Sequence, residues 1–378
     1  MHICYIANKY PSKYDPNVLV FVQQLAWALA DEGQKVSIIS PIPLNLNPKY
    51  YNIPSFYIES TDNGNKVAVH RPKTIGFGQS RYIFGRSPIK ATTHFIETAS
   101  RRAISNMLSI PDIFIGHFAA PAGVVAARLA KQYSKKSYIA FGDFNTVYID
   151  QFGRTSFIQE CNNIDGVIAV STRNKRLLSD NNIIPDNKIE VFPNGYRQNR
   201  FSPKNKIVAR KKLGLDENAF IVGFVGTYNE RKGIKRLESA VDRIEGVMLA
   251  CAGSGELQPT SSKCIFNKKV PNSLLPWFYA ALDVFALPTL EEGCSNAIVE
   301  ALAMGLPIIS SDRDFNTDII DDTCAILIDP LDIAALSRAI LELKTNSQIR
   351  ENLAIGSLER SKSLTLSQRA RNIIDFIS

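Results

Sequence analysis

Short apolar runs alternate with amphipathic stretches from the first residue onward. Residues 2–7 are apolar. Residues 17–30 then carry Val18, Phe21, Val22, Leu25 and Leu29 at helical spacing, and residues 35–40 are apolar again. Asn17 stands where a helix cap belongs and Gly33 where a helix ends. Strand, helix, strand in this order predicts a βαβ unit and a parallel sheet. The pattern continues with a helix over 90–108, a strand over 112–116 that ends at His117, and a helix over 121–132. Strands follow over 137–141 and 166–170, then a helix capped by Ser171 and a strand over 188–192. Between 41 and 90 the periodicity lapses into Pro, Tyr and Asn, with strand-like pieces only at 55–59 and 66–70. A stretch this long and irregular is usually functional or mobile.

The same rhythm restarts near Val208. Strands are expected over 220–225, 247–252, 284–287, 307–310 and 325–328, with helices from 234, over 273–281, 297–304 and 332–344. At 378 residues the chain fits two domains better than one. Its 45% hydrophobic and 21% charged content is that of a soluble globular protein. No apolar run reaches the roughly 20 residues of a membrane helix, and the first residues lack a basic leader. The six cysteines (Cys4, Cys161, Cys251, Cys264, Cys294 and Cys324) are scattered. That spacing argues for free thiols in a cytoplasmic setting and against a disulfide frame or zinc site.

The chemistry concentrates at 287–307. A buried strand leads into the polar loop 288–295, then a helix with Gly305 at its end, then another buried strand. Ser295 or Asn296 can cap that helix. The backbone N–H groups of Cys294, Ser295 and Asn296 point out of its start, where a helix offers free donors and a positive dipole end to diphosphate or hydroxyl oxygens. Glu292 stands in the loop and Glu300 in the helix; carboxylates beside such a site suit the hydroxyls of a sugar or ribose. A second glycine-bounded turn, Gly226 to Gly233, brings Arg231 and Lys232 to a helix start, the kind of cations a diphosphate wants. His117 ends a buried strand at the ligand edge of the first sheet, where a packed structural histidine is about as frequent as a working one.

Glu292, Gly293 and Glu300, with the following Ala-Leu-Ala-x-Gly-x-Pro, resemble the E-x7-E signature of the retaining, nucleotide-sugar-dependent glycosyltransferases of family 4. Val191-Phe192-Pro193-Asn194-Gly195 followed by Phe201 resembles the same family where the chain passes to its second domain. The resemblance implies an α/β fold of two Rossmann-like domains facing each other across a cleft (GT-B), with a C-terminal helix crossing back to the first domain. It implies domains at 1–200 on the acceptor side and 201–362 on the nucleotide-sugar side, with 363–378 as the crossover helix. It implies transfer of a sugar from a UDP- or GDP-sugar to a glycan or lipid-linked acceptor, with retention. In that reading Glu292, Lys232 and His117 serve catalysis. Glu300, Arg231, Gly293, Cys294, Ser295, Asn296, Val270 and Gly253 hold the donor, Glu300 at the ribose, and Gly253-x-Gly255 forms a tight turn near the nucleotide. No cofactor and no metal are called for.

Two positions depart from the family. Thr227 stands where relatives carry Arg, which leaves Arg231 as the substitute, and Phe141 stands where many carry the His of a His-Gly pair; Asp143 or Asn145 is then the candidate contact on that wall. Relatives also carry a Gly-Gly pair in the loop after the first strand, absent here. Thr227 and Phe141 favour one rival, a non-catalytic carbohydrate- or lipid-binding member; among enzymes the rival is a nucleotide-sugar epimerase.

Charge adds one expectation. Residues 1–200 hold 23 Lys and Arg against 14 Asp and Glu; the rest hold 21 against 22. Arg71, Lys73, Arg81, Arg86, Lys90, Arg101 and Arg102 crowd one region. With no groove-reading motif, nucleic acid is an unsuitable partner. Anionic lipid headgroups or a phosphate-bearing acceptor fit better, which predicts reversible contact with the inner face of a membrane. The bland alternative is a solvated basic face.

Overall fold

The chain divides into two units, Met1–Phe192 with Arg369–Ser378, and Pro193–Gln368, each built on a wholly or mostly parallel sheet. The computed structural model describes residues 1–45, 48–77 and 87–378. Each unit stacks helices on a mostly parallel sheet, the Rossmann-like arrangement.

The first unit carries β1 (His2–Ile6), β2 (Lys35–Ile39), β3 (Ile42–Pro43), β4 (Phe56–Ser60), β5 (Lys66–His70), β6 (Lys73–Thr74), β7 (Ile113–His117), β8 (Lys136–Phe141), β9 (Gly166–Ala169) and β10 (Ile189–Val191). Eight of these form one sheet in the order β10-β9-β8-β7-β1-β2-β5-β4, while β3 and β6 pair separately. The strand order turns at β1, which has β2 on one side and β7 on the other. Both sheet faces are covered, so β1 is buried throughout. Ile3 and Tyr5 join one core cluster and Cys4 and Ile6 the other; a strand buried on both faces reads as an unbroken apolar run. Ala370, Ile373 and Ile377, near the end of the chain, pack into the first of these clusters.

Two local readings change, and a third gains its pairing. The first helix runs Val20–Asp31 with Leu19 at its N-cap, in a left-handed conformation and without a side-chain cap, so Asn17 does not cap it. The two pieces in the irregular stretch are β4 and β5, an antiparallel hairpin that extends the sheet by pairing β5 with β2. The crowded cations are largely committed to the fold: Arg71 is buried against the carbonyls of Tyr10 and Pro11, Lys73 donates to the carbonyl of Ile53 at 2.6 Å, and Arg101 pairs with Glu97. Arg81 and Arg86 lie outside the described residues.

The second unit carries β11 (Phe220–Tyr228), β12 (Val247–Gly255), β13 (Cys264–Lys268), β14 (Val284–Leu287), β15 (Ile308–Ser311) and β16 (Ala325–Ile328), all parallel, in the order β13-β12-β11-β14-β15-β16. Here the order reverses between β11 and β14. In open α/β sheets that switch point, at the carboxyl ends of the strands, is where ligands bind. Strands β11 and β12 also run three residues longer than the apolar pattern suggests. Gly226 pairs with Gly253, Thr227 with Ser254 and Tyr228 with Gly255. Gly253-Ser254-Gly255 is therefore strand rather than tight turn. Its glycines have a packing reason: a Cβ on Gly253 would lie 1.9 Å from the Gly226 carbonyl oxygen, and one on Gly255 2.2 Å from that of Tyr228.

Candidate active site

The loops leaving β11 and β14 meet at the switch point of the second unit. After β11 the chain passes Asn229 to Lys232 and enters the helix Ile234–Asp242 at Gly233, whose φ of +79° suits glycine. A Cβ there would also stand 2.3 Å from the Pro288 carbonyl, so glycine lets the two loops touch. The contact is hydrogen bonded. Leu290 N–H donates to the Arg231 carbonyl at 2.8 Å, the Thr289 hydroxyl oxygen lies 3.2 Å from the same carbonyl, and Arg236 donates to the Pro288 carbonyl at 3.1 Å. Ser311 ties the Thr289 carbonyl from β15 at 2.6 Å.

This frame gathers charge on one atom. Oε1 of Glu292 lies 2.5 Å from the Lys232 ammonium, 2.9 Å from the Arg231 guanidinium and 3.0 Å from the Thr289 hydroxyl. Glu292 is buried, Lys232 nearly so, and Arg231 also donates to the Glu291 carbonyl. Two cations held on a buried carboxylate are fixed in place before any ligand arrives, and such preorganised positive charge stabilises a developing anion. Thr227, by contrast, is exposed and lies in β11.

Ser295 caps the helix Asn296–Ala303, its hydroxyl accepting from the Ile298 N–H at 3.4 Å. Cys294 is clasped by Asn194, which donates its backbone N–H to the sulfur at 3.3 Å and its side-chain amide to the carbonyl at 3.1 Å. The start of the helix that holds Gly293, Cys294, Ser295 and Asn296 is thus anchored by the chain entering the unit.

With this geometry in place, comparison with known proteins decides the family. Residues 219–346 match the model described as glycosyl transferases group 1, and residues 18–200 match that described as glycosyltransferase family 4. The chain belongs to the group 1 glycosyltransferases. TuaC of Bacillus subtilis (strain 168), a glycosyltransferase assigned to teichuronic acid biosynthesis, is 24% identical over 349 residues, covering 90% of this chain and 88% of its own. CapM of Staphylococcus aureus, a capsular polysaccharide biosynthesis glycosyltransferase, is 26% identical over 220 residues, covering 53% of this chain and 58% of its own. Among solved structures, sucrose-phosphate synthase from Thermosynechococcus elongatus superposes with a TM-score of 0.77 at 20% identity over 99% of this chain and 97% of its own. Anabaena HepE in complex with UDP and glucose gives 0.72 at 15% over 99% and 98%. At these identities the superpositions establish the GT-B fold.

The remaining expected residues of this glycosyltransferase fall into three places. Glu300 accepts from the Tyr279 hydroxyl at 2.9 Å. Burial pushes the Glu300 carboxyl up to about 7, against the opposing pull of the Tyr279 hydroxyl and the Arg200 charge. Arg200 is itself fixed at 2.8 Å on Asn272, four residues beyond β13, and burial lowers its pKa. Tyr279, Arg200 and Asn272 are functional candidates that spacing does not reveal, because they lie 21 or more residues from Glu300 in sequence. Val270 sits in the same stretch after β13, and Gly253 on the neighbouring strand β12.

His117 lies in the first unit, at the end of β7. Its ring packs between Phe21 and Phe118, with centroids at 5.3 and 4.5 Å. Burial, helped by the Arg369 charge, lowers it to about 3, so the imidazole is neutral at physiological pH. Asp143, beyond β8, is pushed up to about 7 by burial, while an Ala119 N–H pulls the other way. Phe141 is buried in the core, which accounts for its aromatic character at that position.

Glu300 yields a pH prediction. Its folded pKa lies above the ordinary glutamate value of 4.5. Its contribution to stability is therefore fully present below that value and is lost as pH rises through about 7. Glu300→Gln is expected to flatten the unliganded stability profile between pH 5 and pH 8 by on the order of 1–3 kcal/mol. Denaturant melts across that range check it; parallel profiles for the two proteins would contradict it.

Proposed function

We propose that this chain is a retaining glycosyltransferase that takes its sugar from a UDP- or GDP-sugar and delivers it to a glycan or lipid-linked acceptor in the assembly of a cell-surface polysaccharide. The observation that carries the reading is the convergence of Lys232 and Arg231 on the buried Glu292 at a sheet switch point. In this reading the two cations and the amides at the start of the helix Asn296–Ala303 receive the donor diphosphate and stabilise it as it leaves. Glu292 orients the donor sugar. Glu300, ionised once it accepts hydroxyl hydrogens, holds the ribose. With the leaving oxygens on one face of the sugar, they take the proton of an acceptor hydroxyl entering on that same face, which keeps the anomeric configuration. The diphosphate charge has protein cations to meet it, so the reaction is expected to run without a divalent ion. The UDP and glucose held by HepE and the polysaccharide roles of TuaC and CapM support the substrate class.

Contact with an anionic membrane belongs to the same proposal and rests on the basic excess of residues 1–200. One set of measurements covers all of it. Purified protein is incubated with UDP- and GDP-sugars and candidate acceptors, with and without EDTA. Acceptor-dependent release of UDP or GDP, insensitive to EDTA, is expected, with an early product that retains the donor's anomeric coupling by proton NMR. An inverted coupling would remove the front-face mechanism. Release that ignores acceptor would remove transfer itself. Sedimentation of the same preparation with neutral and anionic vesicles should show binding to the anionic ones alone, weakening with salt; equal binding to both would remove the membrane contact.

A further inference from the structure

Cys251 and Cys264 sit on neighbouring strands, β12 and β13, and β13 is the edge of the second sheet. Leu249 pairs with Cys264; after a shift of register Ala250 pairs with Phe266 and Cys251 with Asn267. Ile265 is thus the extra residue of a bulge, which bends the strand that carries it. Leu249 and Cys251 point to one face of the sheet, and Cys264, opposite Leu249, points to it as well. There the two thiols meet as hydrogen-bonded diagonal neighbours. Cys264 also donates to the Phe266 carbonyl at 3.6 Å. The Tyr228 hydroxyl of β11 stands in the field of both thiols; it is buried and has no hydrogen-bond partner among the described residues.

The two sulfurs are not equivalent. All six cysteines fall among the described residues; Cys264 alone is partly exposed, and the other five are buried. The hydrogen bond with Cys251 draws the Cys264 thiol below its ordinary value, and the same bond, with burial, pushes Cys251 up. An accessible thiol that ionises readily beside a second thiol is the arrangement of a reversible oxidation site, one sulfur attacking and the other resolving. Tyr228 adds a donor for the oxygen of a sulfenic acid. A metal fits less well, because no group of three or more His, Cys, Asp or Glu suited to one gathers among the described residues.

We infer that Cys264 and Cys251 form a reversible redox site on the second unit, with a hydroperoxide as the oxidant. The Cys264 sulfur attacks the peroxide oxygen and the O–O bond breaks. The thiol proton leaves on the departing oxygen as water or alcohol, and Cys264 becomes a sulfenic acid. The Cys251 sulfur then attacks the Cys264 sulfur, the S–O bond breaks, and the hydroxyl leaves as water with the Cys251 proton. The two thiols have passed two electrons to the peroxide, and a disulfide joins β12 to β13. Diagonal neighbours across a strand pair lie about 7–8 Å apart, beyond the usual roughly 4.4–6.8 Å between the Cα atoms of a disulfide. Closure therefore draws the edge strand along β12, and the bulge is where it yields. Strand β13 runs on to Val270 and Asn272. On the donor reading above, the oxidised protein holds its nucleotide less tightly.

The test treats the reduced full chain with an equimolar amount of hydrogen peroxide and digests it without reductant. Mass spectrometry should find the peptides of Cys251 and Cys264 joined, and parted again by dithiothreitol. Cys251→Ala should leave Cys264 as a sulfenic acid that dimedone captures, whereas Cys264→Ser should leave Cys251 unlabelled. UDP binding by calorimetry should weaken about fivefold or more on oxidation of the wild type, the lower end of ordinary coupling between two sites. It should not weaken in Cys264→Ser. Free thiols at both positions once the peroxide is consumed, or dimedone capture confined to the other cysteines, would overturn the inference. A disulfide with unchanged UDP affinity would overturn its effect on the nucleotide. A disulfide in a protein whose reduced form binds neither UDP nor GDP would leave the redox site standing and remove the donor reading instead.

Discussion

Lys232→Ala is expected to lower kcat by about 10²–10³-fold, the usual consequence of removing one preorganised donor to a developing anion. The ammonium lies 2.5 Å from Glu292 Oε1 in a buried setting where water cannot replace it well. Stability should change little. Arg231 at 2.9 Å and Thr289 at 3.0 Å still satisfy Glu292 after the substitution, so no buried carboxylate is left alone. Glu292→Ala has the opposite character, because it releases two neighbouring cations from their shared partner. Acceptor-dependent nucleotide release at saturating donor measures the effect, with the thermal midpoint recorded alongside. Lys232→Arg should recover part of the loss by keeping the charge while misplacing it. A kcat for Lys232→Ala close to that of wild type would end the assignment of Lys232 to the leaving group.

The second large effect falls on stability. Gly253→Ala is expected to destabilise the second unit by about 3 kcal/mol or more, the range of severe overpacking. The new methyl would lie 1.9 Å from the Gly226 carbonyl oxygen and 2.8 Å from the Tyr228 ring. Both belong to β11, the strand that sits at the switch point and leads into Arg231 and Lys232. Backbone cannot yield there without parting the two central strands. Gly214→Ala is the matched control. Gly214 also has a positive φ, +69°, but nothing stands within 4 Å of its Cβ position, so only the backbone cost of about 1 kcal/mol remains. Thermal and denaturant melts should separate the two clearly. A Gly253→Ala protein as stable as the Gly214→Ala protein would refute the packing account and return Gly253 to a purely ligand-binding role.

Much of the site was legible because its parts are local. Glu292, Cys294 and the cap at Ser295 fall within one loop and one helix start, and apolar runs flank them on both sides. Arg231 and Lys232 lie in a second short turn bounded by glycines. What spacing left open was how those two turns relate. The reversal of strand order between β11 and β14 brings them together. A single carboxylate oxygen then receives both cations and Thr289, which is a fact of side-chain geometry.

Elsewhere the local signals misled for physical reasons. Gly253-x-Gly255 reads as a turn because glycine is permissive, yet here glycine permits two strands to approach. Asn17 reads as a helix cap, yet Leu19 takes that position. The strand-like pieces at 55–59 and 66–70 were legible and are β4 and β5; only their pairing into a hairpin that extends the sheet needed the tertiary structure.

The sequence by itself determined the alternation of strands and helices, and hence two parallel α/β layers, since each buried strand must be apolar and each covering helix must carry one apolar stripe. It also determined which residue types stand at the loop ends where such sheets bind ligands. Only the tertiary structure decided which of those residues share a site. It placed Glu300 against Tyr279 and in the field of Arg200, and burial there pushes its carboxyl up to about 7, because burial depends on neighbours distant in the chain. It also enclosed Glu59 among Tyr10, Gln23 and Trp27, residues from a loop and a helix that no sequence period connects to β4.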